Sequence, residues 1–423
     1  MSDIYSKKAE RGEDDGELAL DDNISNFLRE AFTLRQLQNV PQVIWYRGFN
    51  FSLDIQQGSW VCTTAIDMER GECTLAEEID RCEQNEDWNP VLNKLLYQIV
   101  SGMFAVNRSE VWHCDLKPEN IVLLADGRVR IIDFNLARSG KNGEIPVSPG
   151  KLYSGYYCAP ELLSAAKDGV RRVVVDLEKT EIYSIGKVFL KLLVNFKEPE
   201  VRKLGTHLLT RAHEHFNSLE NLRHYLKEEF PTKPVSEVAL DLLYGMLNPD
   251  PTKRLTYISV INHEYFRSNR NGISFALEEK KAKETPPLGF SEEEEAEHGL
   301  GTQLTFLREV TEKYYTGDTR LMDFVLPTLR GVLKRDPGIS NTELELDGYA
   351  AYVIASSVYF DSQSDEYSDA PITLFDLLGD HLKENSKELY NSIKTNTAQK
   401  YKGMYLDYKI RMVVMERMKN LLD

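Results

Sequence analysis

One stretch of eight residues combines several side chains that can exchange protons, bind cations or neutralise anions. It reads His113-Cys114-Asp115-Leu116-Lys117-Pro118-Glu119-Asn120, and Asp133-Phe134-Asn135 begins thirteen residues after Asn120. Residues of these types are also common in turns, so a lone His-x-Asp would carry no functional weight. An entire octapeptide followed by Asp-Phe at this spacing is too specific for an accidental loop, and it indicates a site of chemistry.

The two motifs resemble the catalytic loop and the metal-binding motif of the eukaryotic-type protein kinases. The form Asp-Leu-Lys-Pro-Glu-Asn is similar to that of the serine/threonine subgroup. The resemblance implies that Asp115 orients the substrate hydroxyl and accepts its proton, while Lys117 faces the transferred phosphoryl group. It implies that Asn120 and Asp133 bind Mg or Mn, with ATP as phosphoryl donor and a protein as substrate.

Two further positions agree with this family. Ala159-Pro160-Glu161 closes a segment that opens at Asp133, and Arg254 stands where the family pairs an Arg with that Glu, so we expect a buried structural ion pair. Glu181 stands where the family has Asp at the start of a central helix. Its side chain is longer by one methylene, and we expect it still to reach the catalytic-loop backbone.

Two positions depart from the family pattern. Cys114 replaces the Arg that normally binds a phosphate on the activation segment, so we expect activity without phosphorylation of that segment. Asn135 replaces the Gly of the metal-binding motif. Because Asn is the non-glycine residue best able to adopt a positive φ, we expect Asn135 to preserve the turn.

The nucleotide-binding lobe has an unusual N-terminal part, since no Gly-x-Gly-x-x-Gly precedes the helix predicted from Ile24 to Leu37. Glu30 opens an ExxxLxxL pattern similar to the family helix whose Glu pairs with the ATP-binding Lys. Its partner is either Lys8 or Lys7, unless both belong to a solvated terminus. If the chain begins at their strand, the first two strands of the fold are absent.

The elements that must position these residues follow from periodicity. Two β-like runs, VIWYRGFNFSL and WVCTTAI, predict a hairpin, and the adenine-contacting hinge is expected just after it, around Asp67 and Met68. Residues 90–107 predict a long buried helix. The runs IVLL and VRII, joined by ADGR, predict a second hairpin, and helices dominate from Glu161 to Phe266.

A charged segment, 277–301, contains Pro-Pro and a run of four Glu, and it predicts an acidic flexible linker. The apolar periodicity of 302–423 predicts an all-α domain. Small residues between Leu346 and Ser356, with Met415-Glu416, resemble a cyclin box, although an unrelated helical bundle fits as well. Leu28-Arg29-Glu30 is similar to the Ile-Arg-Glu sequence where cyclins dock on their kinases.

Composition limits the alternatives. The chain has 423 residues, and its formal net charge of -16 argues against nucleic acid and anionic membranes as partners. No apolar run approaches the roughly 20 residues that span a bilayer, and the start lacks a signal peptide. The five cysteines show no CxxC spacing and indicate reduced thiols. We therefore expect an intracellular protein, cytoplasmic or nuclear.

These observations predict an α+β fold, a two-lobe protein-kinase-like domain with a reduced N-lobe, followed by an all-α domain. The expected boundaries are 1–69 for the N-lobe, 70–276 for the C-lobe, 277–301 for the linker and 302–423 for the helical domain. The helical domain is expected to contact its own kinase domain or a partner protein. Two functions remain open: a serine/threonine kinase regulated by this domain, and a pseudokinase that serves as a protein-binding scaffold.

Overall fold

The computed structural model describes residues 4–10, 20–56, 59–81, 89–140, 144–147, 149, 157–195, 217–229, 235–269, 290–315, 317–359, 374–396 and 406–423. The chain divides into two compact units. The first unit comprises Met1–Tyr5, Thr33–Tyr46 and Met68–Leu277. The second unit comprises Ser6–Phe32, Arg47–Asp67 and Glu278–Asp423.

The N-terminal part consists of a small sheet and one helix. The elements in chain order are β1 Ile4–Glu10, α1 Leu20–Gln36, β2 Tyr46–Gln56 and β3 Ser59–Glu69. The sheet has the order β1-β3-β2. Because β2 and β3 are consecutive in the chain and adjacent in the sheet, the predicted hairpin is confirmed, as is the predicted helix.

The rest of the first unit is mainly helical. Its described helices are α2 Leu75–Arg81, α3 Asn89–Arg108, α4 Pro160–Lys167, α5 Leu177–Asn195, α6 Leu219–Glu229, α7 Glu237–Met246 and α8 Tyr257–Ile261. Its described strands are β4 Cys73–Thr74, β5 Val111–Trp112, β6 Ile121–Leu123, β7 Val129–Ile131, β8 Arg138–Ser139, β9 Glu144–Val147 and β10 Val173–Asp176.

Short antiparallel pairs frame the segments that carry the sequence motifs. Strands β6 and β7 form the predicted second hairpin, with Ile121 opposite Ile131, and Gly127 makes the turn at φ 75°. Strand β5 pairs with β8, and β9 pairs with β10. The hairpin places Asn120 and Asp133 at the same end of two neighbouring strands.

Helix α5 forms the centre of the first unit. Its residues from Thr180 to Leu190 are all buried, whether apolar or polar. At Gly186 an added Cβ would lie 2.8 Å from a methyl carbon of Leu247, so this glycine permits close packing against the segment after α7. A helix that is buried on every side can contact the surrounding loops in several directions.

The C-terminal part of the second unit is all-helical in its described residues. The helices are α9 Glu292–Glu297, α10 Gly301–Tyr314, α11 Arg320–Arg335, α12 Asn341–Tyr359, α13 Leu374–Asn385, α14 Lys387–Thr395 and α15 Leu406–Leu422. The helices from α10 onward agree with the helical pattern predicted for 302–423, whereas α9 lies in the segment predicted as a linker. In the described part of the chain, no helix combines the length and apolarity needed to cross a membrane.

Helix α12 is the core of this bundle and packs mainly against α11 and α15. Its small residues are buried, and an added Cβ at Gly348 would lie 2.5 Å from the amide nitrogen of Gln303 on α10. Asp347, which is 2% exposed, accepts two hydrogen bonds of 2.7 Å from Arg417 on α15. The small residues of α12 therefore permit close packing of its neighbours.

The acidic segment 277–301 differs from the flexible linker that we predicted. Residues 277–289 lie outside the described part, but Glu292–Glu297 form α9. Ser291 and Glu294 make a reciprocal capping box, which satisfies two backbone donors at the start of the helix. Glu294 and Glu295 also pair with Arg330 and Arg308 of the bundle. Capping and ion pairs thus stabilise a short helix within a segment that was predicted to be a flexible linker.

Candidate active site

The backbone of the octapeptide motif turns sharply between β5 and a 3₁₀ turn, Pro118–Asn120. Cys114 has a φ of 61°, in the left-handed region that is costly for most residues. The N–H groups of His113 and Cys114 donate to Oε1 of Glu181 at 2.5 Å and 3.3 Å. Glu181 therefore reaches the catalytic-loop backbone, as predicted, and holds the strained turn that precedes Asp115.

The imidazole of His113 is buried and links two segments. Its Nδ1 accepts a hydrogen bond from the Asp115 N–H at 3.2 Å, so the ring proton lies on Nε2, which donates to the Ile132 carbonyl at 2.9 Å. Burial lowers the pKa of His113, which keeps the ring neutral. Its centroid lies 4.7 Å from that of Phe134. The ring therefore ties the loop to the segment that contains Asp133.

The Asp115 carboxylate is held in one orientation. Its Oδ2 accepts a hydrogen bond from Lys117 Nζ at 2.6 Å and a longer one from Asn120 Nδ2 at 3.4 Å. Asn120 Nδ2 also donates to the Asp115 backbone carbonyl at 2.9 Å. The structure thus brings Asp115, Lys117 and Asn120 together. Asp115 as a whole is 5% exposed.

Asn120 and Asp133 have the chemistry of a magnesium site. The Ile132 N–H donates to the Asn120 carbonyl at 3.0 Å, which holds Asp133 beside Asn120. Because Nδ2 of Asn120 is directed at Asp115, Oδ1 is the atom that Asn120 can offer a metal. Within the described residues, no group of three or more His, Cys, Asp or Glu could hold a metal. Two oxygen donors suit Mg, which commonly takes its remaining ligands from water and phosphate.

The turn at the metal-binding motif is made differently from our prediction for Asn135. Asp133 adopts the left-handed conformation, with φ 69° and ψ 61°, whereas Asn135 lies inside the 3₁₀ turn Phe134–Leu136. Asn135 is absent from the described non-glycine residues with positive φ. The expected positive φ at Asn135 is therefore wrong. Since Asp133 makes the turn, position 135 does not need glycine.

The predicted ion pair between Arg254 and Glu161 is confirmed. The guanidinium donates to both carboxylate oxygens, at 2.8 Å and 3.0 Å, and its side chain is fully buried. It also donates to the carbonyls of Asn248 and Lys179, and its charge lies 5.0 Å from the ring centroid of Tyr183. The pair fastens the end of the activation segment to the helical core.

The other oxygen of Glu181 has a partner that the sequence did not suggest. The hydroxyl of Tyr257, in α8, donates to Oε2 at 3.0 Å. Burial raises the pKa of Glu181 to about 7, against the lowering effect of hydrogen bonds from the loop N–H groups and from Tyr257. Nothing at position 257 marks it as functional in the sequence, because the residues lie 76 positions apart.

Cys114 lies in an apolar cluster. With it are Trp112, Val147, Cys158, Leu162 and Leu177, and Val173 and Val175 of β10 pack against them. Burial raises the pKa of the Cys158 thiol to about 12, so it stays protonated. The position that the family fills with a phosphate-binding Arg is therefore surrounded by hydrocarbon, and Val147 of the activation segment is part of the same cluster.

The remaining predicted site residues are divided between the units. Glu30 is 1% exposed on α1, in the second unit. Lys7 and Lys8 lie in β1, but their side chains are outside the described part, so their pairing with Glu30 stays a prediction. In the second unit, the Asp67 carboxylate accepts a hydrogen bond from Asn50 Nδ2 at 2.6 Å. Met68 is buried and belongs to the first unit.

Glu69, at the end of β3, has a side-chain partner that the sequence did not suggest. Its carboxylate accepts hydrogen bonds from Nε and Nη2 of Arg130, in β7, at 2.7 Å and 3.3 Å. Arg130 also donates to the Pro41 carbonyl at 2.7 Å. Both partners of Arg130 belong to the first unit. This arginine therefore joins Glu69, at the end of β3, to the hairpin formed by β6 and β7.

Helix α1 contacts the C-terminal bundle within the second unit. Arg29, which is 2% exposed, donates from Nε to the Ser357 carbonyl of α12 at 2.8 Å. The rings of Phe32 and Phe324 meet edge to face with centroids 5.2 Å apart. The predicted docking residues Leu28, Arg29 and Glu30 are all buried.

Helix α15 contacts the sheet in the same unit. Lys419 Nζ donates to Asn50 Oδ1 at 2.5 Å. The Phe49 N–H donates to Asp423 Oδ1 at 3.2 Å. Because Asn50 also binds Asp67, a chain of hydrogen bonds leads from the last helix to the predicted hinge.

The fold and the geometry of the loop around Asp115 have the arrangement that the protein-kinase resemblance implies. The protein kinase domain family matches residues 4–266, more than half of the chain. The chain belongs to the protein kinase domain family.

Several curated kinases are similar to part of the chain. A serine/threonine-protein kinase of Saccharomyces cerevisiae is 27% identical over 169 residues, which cover 39% of this chain and 36% of the yeast protein. Cyclin-dependent kinase 8 of Caenorhabditis elegans is 33% identical over 111 residues, covering 24% of this chain and 18% of the relative. Mitogen-activated protein kinase 13 of Arabidopsis thaliana is 34% identical over 98 residues, covering 23% and 24%. The matches thus span well under half of these relatives' lengths.

Proposed function

We propose that this protein transfers the γ-phosphate of ATP to serine or threonine hydroxyls of protein substrates. The observation that carries the proposal is the fixed Asp115 carboxylate, with Lys117 Nζ at 2.6 Å and Asn120 Nδ2 on its backbone carbonyl at 2.9 Å. Phosphoryl transfer depends on positioning and charge stabilisation more than on covalent help from the protein, and this geometry supplies both.

Each residue of the loop has an assigned task in this proposal. Asp115 accepts a hydrogen bond from the substrate hydroxyl and takes its proton as the oxygen attacks. Lys117 places a positive charge beside the reacting groups and balances the transferred phosphoryl group. Asn120 and Asp133 would hold Mg through oxygen atoms. When bound, Mg neutralises phosphate charge and orients the donor.

The nucleotide would be held by residues whose roles rest on the family resemblance. Glu30 would pair with Lys8 or Lys7, and the main chain around Asp67 and Met68 would contact adenine. The buried position of Glu30 supports this assignment, since a buried carboxylate needs a cationic or hydrogen-bonding partner.

We further propose that the C-terminal bundle regulates the kinase in cis by holding α1. The hydrogen bond from Arg29 to Ser357 and the edge-to-face pair of Phe32 and Phe324 support this proposal. A relative is named for its dependence on a cyclin, which accords with the proposed cyclin-like character of residues 302–423. In this proposal the bundle stands where a separate activator would bind.

The test is phosphate incorporation by the purified full chain with ATP and either Mg or Mn. Expected products are phosphoserine and phosphothreonine on the protein itself or on a mixed peptide substrate. A strict need for the divalent ion should accompany them. Incorporation on tyrosine alone would contradict the serine/threonine assignment.

The alternative is a non-catalytic scaffold that keeps the kinase fold for binding. Its motive is that the printed residues before α1 contain no Gly-x-Gly-x-x-Gly, the loop that covers the phosphates of ATP in the family. In that case Mg-ATP should produce neither transfer nor thermal stabilisation. The ordered contacts of Asp115 favour the enzyme.

A further inference from the structure

Tyr257 is fixed on three sides. Its hydroxyl donates to Glu181 Oε2 at 3.0 Å, and its backbone N–H donates to Glu178 Oε1 at 2.7 Å, so both contacts are to α5. Its ring centroid lies 5.9 Å from that of Phe104 in α3. The residue is fully buried. Its hydroxyl therefore has one well-defined direction, toward the carboxylate that holds the catalytic loop.

The segment before α8 is also fastened to α5. Lys179 Nζ donates to the Arg254 carbonyl at 2.6 Å and to that of Leu255 at 3.4 Å. Contacts from both Lys179 and Glu178 thus fix the position of Tyr257 independently of its hydroxyl. Replacing the hydroxyl should therefore leave the backbone of α8 where it is.

Glu181 needs the Tyr257 hydroxyl as a donor because its carboxylate must stay ionised to hold the backbone of the catalytic loop. One oxygen, Oε1, accepts both loop N–H groups, and these hold Cys114 at φ 61° directly before Asp115. Hydrogen bonds from N–H groups to an ionised carboxylate are stronger than those to a neutral one. In a fully buried position the ionised form is costly unless its remaining oxygen is also satisfied.

We propose that Tyr257 is a positioning residue for phosphoryl transfer, acting through Glu181 on the backbone turn that aims Asp115. This inference rests on the proposed kinase activity. Tyr257 touches no reacting atom. It stabilises the charge on Glu181, and the charged carboxylate binds the N–H groups of the loop. The groups that face Glu181 are His113 and Cys114 on the loop, Tyr257 on α8 and Glu178 on its own helix, and Glu178 opposes ionisation.

The first readout is the pH profile of kcat/KM for Tyr257→Phe in the full chain. The variant keeps the ring but loses the donor, so Glu181 should ionise at higher pH than in the wild type. We expect a loss on the order of tenfold near about pH 6.5 and of no more than about twofold near about pH 8.5. Glu181→Gln, which mimics the protonated form, should show the loss at both pH values.

Tyr265→Phe is the matched control. It removes a hydroxyl from the same unit, in a ring that packs on Phe189 and Phe266 and lies in none of the contacts above. Its profile should coincide with that of the wild type. A Tyr257→Phe profile that also coincides with the wild type, or that falls equally at all pH values, would overturn the positioning role.

The second readout does not need activity. The pKa of Glu181 is raised above its ordinary value to about 7, so the folded state binds a proton that the unfolded state releases, and stability should fall as pH rises from about 4.5 to about 7. In Tyr257→Phe the fall should continue to higher pH, and in Glu181→Gln it should be absent. Urea unfolding at several pH values measures this. If the wild type transfers no phosphate, the proposed function fails. The unfolding data would still show whether the Tyr257 hydroxyl stabilises the ionised form of Glu181.

Discussion

Asp115 receives its orientation from neighbours that also come from the motif. Lys117 and Asn120 lie two and five residues later in the chain, and both donate to Oδ2. The 3₁₀ turn Pro118–Asn120 brings them back toward the carboxylate. A short segment can therefore build most of the proposed catalytic geometry by itself, provided that something else holds its first turn.

Asp115→Asn should reduce phosphoryl transfer by roughly 10²-fold or more, because an amide cannot take the hydroxyl proton. The isosteric side chain should leave folding and nucleotide binding largely intact. Steady-state transfer and thermal unfolding with and without Mg-ATP measure both. Asp126→Asn is the control, since Asp126 lies exposed in the turn between β6 and β7, away from the loop that contains Asp115. Unchanged transfer in the Asp115 variant would remove this residue from the catalytic role.

Asp133 is best tested as Asp133→Asn. Its φ of 69° would be strained in alanine, whereas Asn tolerates this conformation and removes only the charge. We expect Mg-dependent nucleotide binding to weaken by at least tenfold, because Mg needs a carboxylate to anchor it. Titration with Mg-ATP, followed by thermal stabilisation, checks this. Persistent stabilisation by Mg-ATP would indicate that Asp133 holds no metal and would favour the scaffold alternative.

The contiguous motif explains what could be predicted at this scale. Asp115, Lys117 and Asn120 are recognisable because their contacts are local. The partnership of Glu181 with Tyr257 was not predictable, since it joins residues 76 positions apart and no motif includes Tyr257. The conformation of Asn135 was misjudged because side-chain tolerance says which residues can make a turn, not which one does.

The activation segment is the element whose support differs most from the family pattern. Val147 of β9 and Cys114 of the loop share one apolar cluster, and β9 pairs along its length with β10. Burial and backbone hydrogen bonds can therefore hold the segment where a phosphate and an Arg would otherwise do so. The segment was expected to need no phosphate, and this cluster supplies a physical reason.

A fully dephosphorylated sample should accordingly keep its activity. Phosphatase treatment, verified by mass spectrometry and followed by an assay of the first turnovers, measures this. Val147→Asp should abolish the activity instead, because an unpaired charge cannot be buried cheaply. Val174→Asp on the same ribbon is the control, since Val174 is 59% exposed. Reversible silencing by phosphatase would count against this account.

The contact between Phe32 and Phe324 gives a second test at the element scale. The edge-to-face pair should contribute a coupling free energy of about 0.5–1.5 kcal/mol in a double-mutant cycle of Phe32→Ala and Phe324→Ala. Chemical unfolding of the two single variants and the double variant measures it. Phe324→Ala combined with Phe104→Ala, whose ring packs on Tyr257 in the first unit, should be additive. Strict additivity in the first cycle would mean that α1 and α11 do not interact energetically.

Helix existence was predictable where apolar periodicity was long, as for α3, α11 and α12. Helix α9 was missed because four consecutive glutamates suggest a disordered run. The signal was present in Ser291 and Glu294, a Ser-x-x-Glu capping box, but its value depends on Arg330 and Arg308, which only the folded bundle brings near. Helix α14 is nine residues long and follows α13 after a single residue, so its pattern merges with that of its neighbour.

At the scale of the molecule, the second unit joins parts of the chain that sequence assigns to different domains. Residues 6–32 and 47–67 cluster with 278–423. A small sheet gains stability when its apolar face packs against another element, and the contacts of Phe49 and Asn50 with α15 place part of the bundle beside this sheet. The residues of α1 from Phe27 to Ala31 are buried around the helix, including Arg29 and Glu30. Within this unit the bundle therefore covers part of α1.

Removing the bundle should therefore damage the N-terminal sheet first. A chain ending at residue 276 would expose the side chains of α1 that face Ser357 and Phe324, and Arg29 would lose the Ser357 carbonyl as a hydrogen-bond acceptor. Loss of a hydrogen bond to a charged group costs about 1.5–3 kcal/mol. We expect this chain to unfold at lower temperature and to transfer phosphate more slowly than the full protein.

Residues 290–423 added in trans should restore part of both properties. The added fragment should begin at Phe290 so that α9 keeps its capping box and its ion pairs with the bundle. Restoration should need concentrations far above those at which the tethered chain works, because a covalent link keeps the bundle at high effective concentration. The fragment carrying Phe324→Ala should restore less than the unmodified fragment at equal concentration. If the chain ending at 276 instead keeps full activity and thermal stability, the bundle is an independent binding module, and its contacts with Arg29 and Phe32 have no consequence for the kinase.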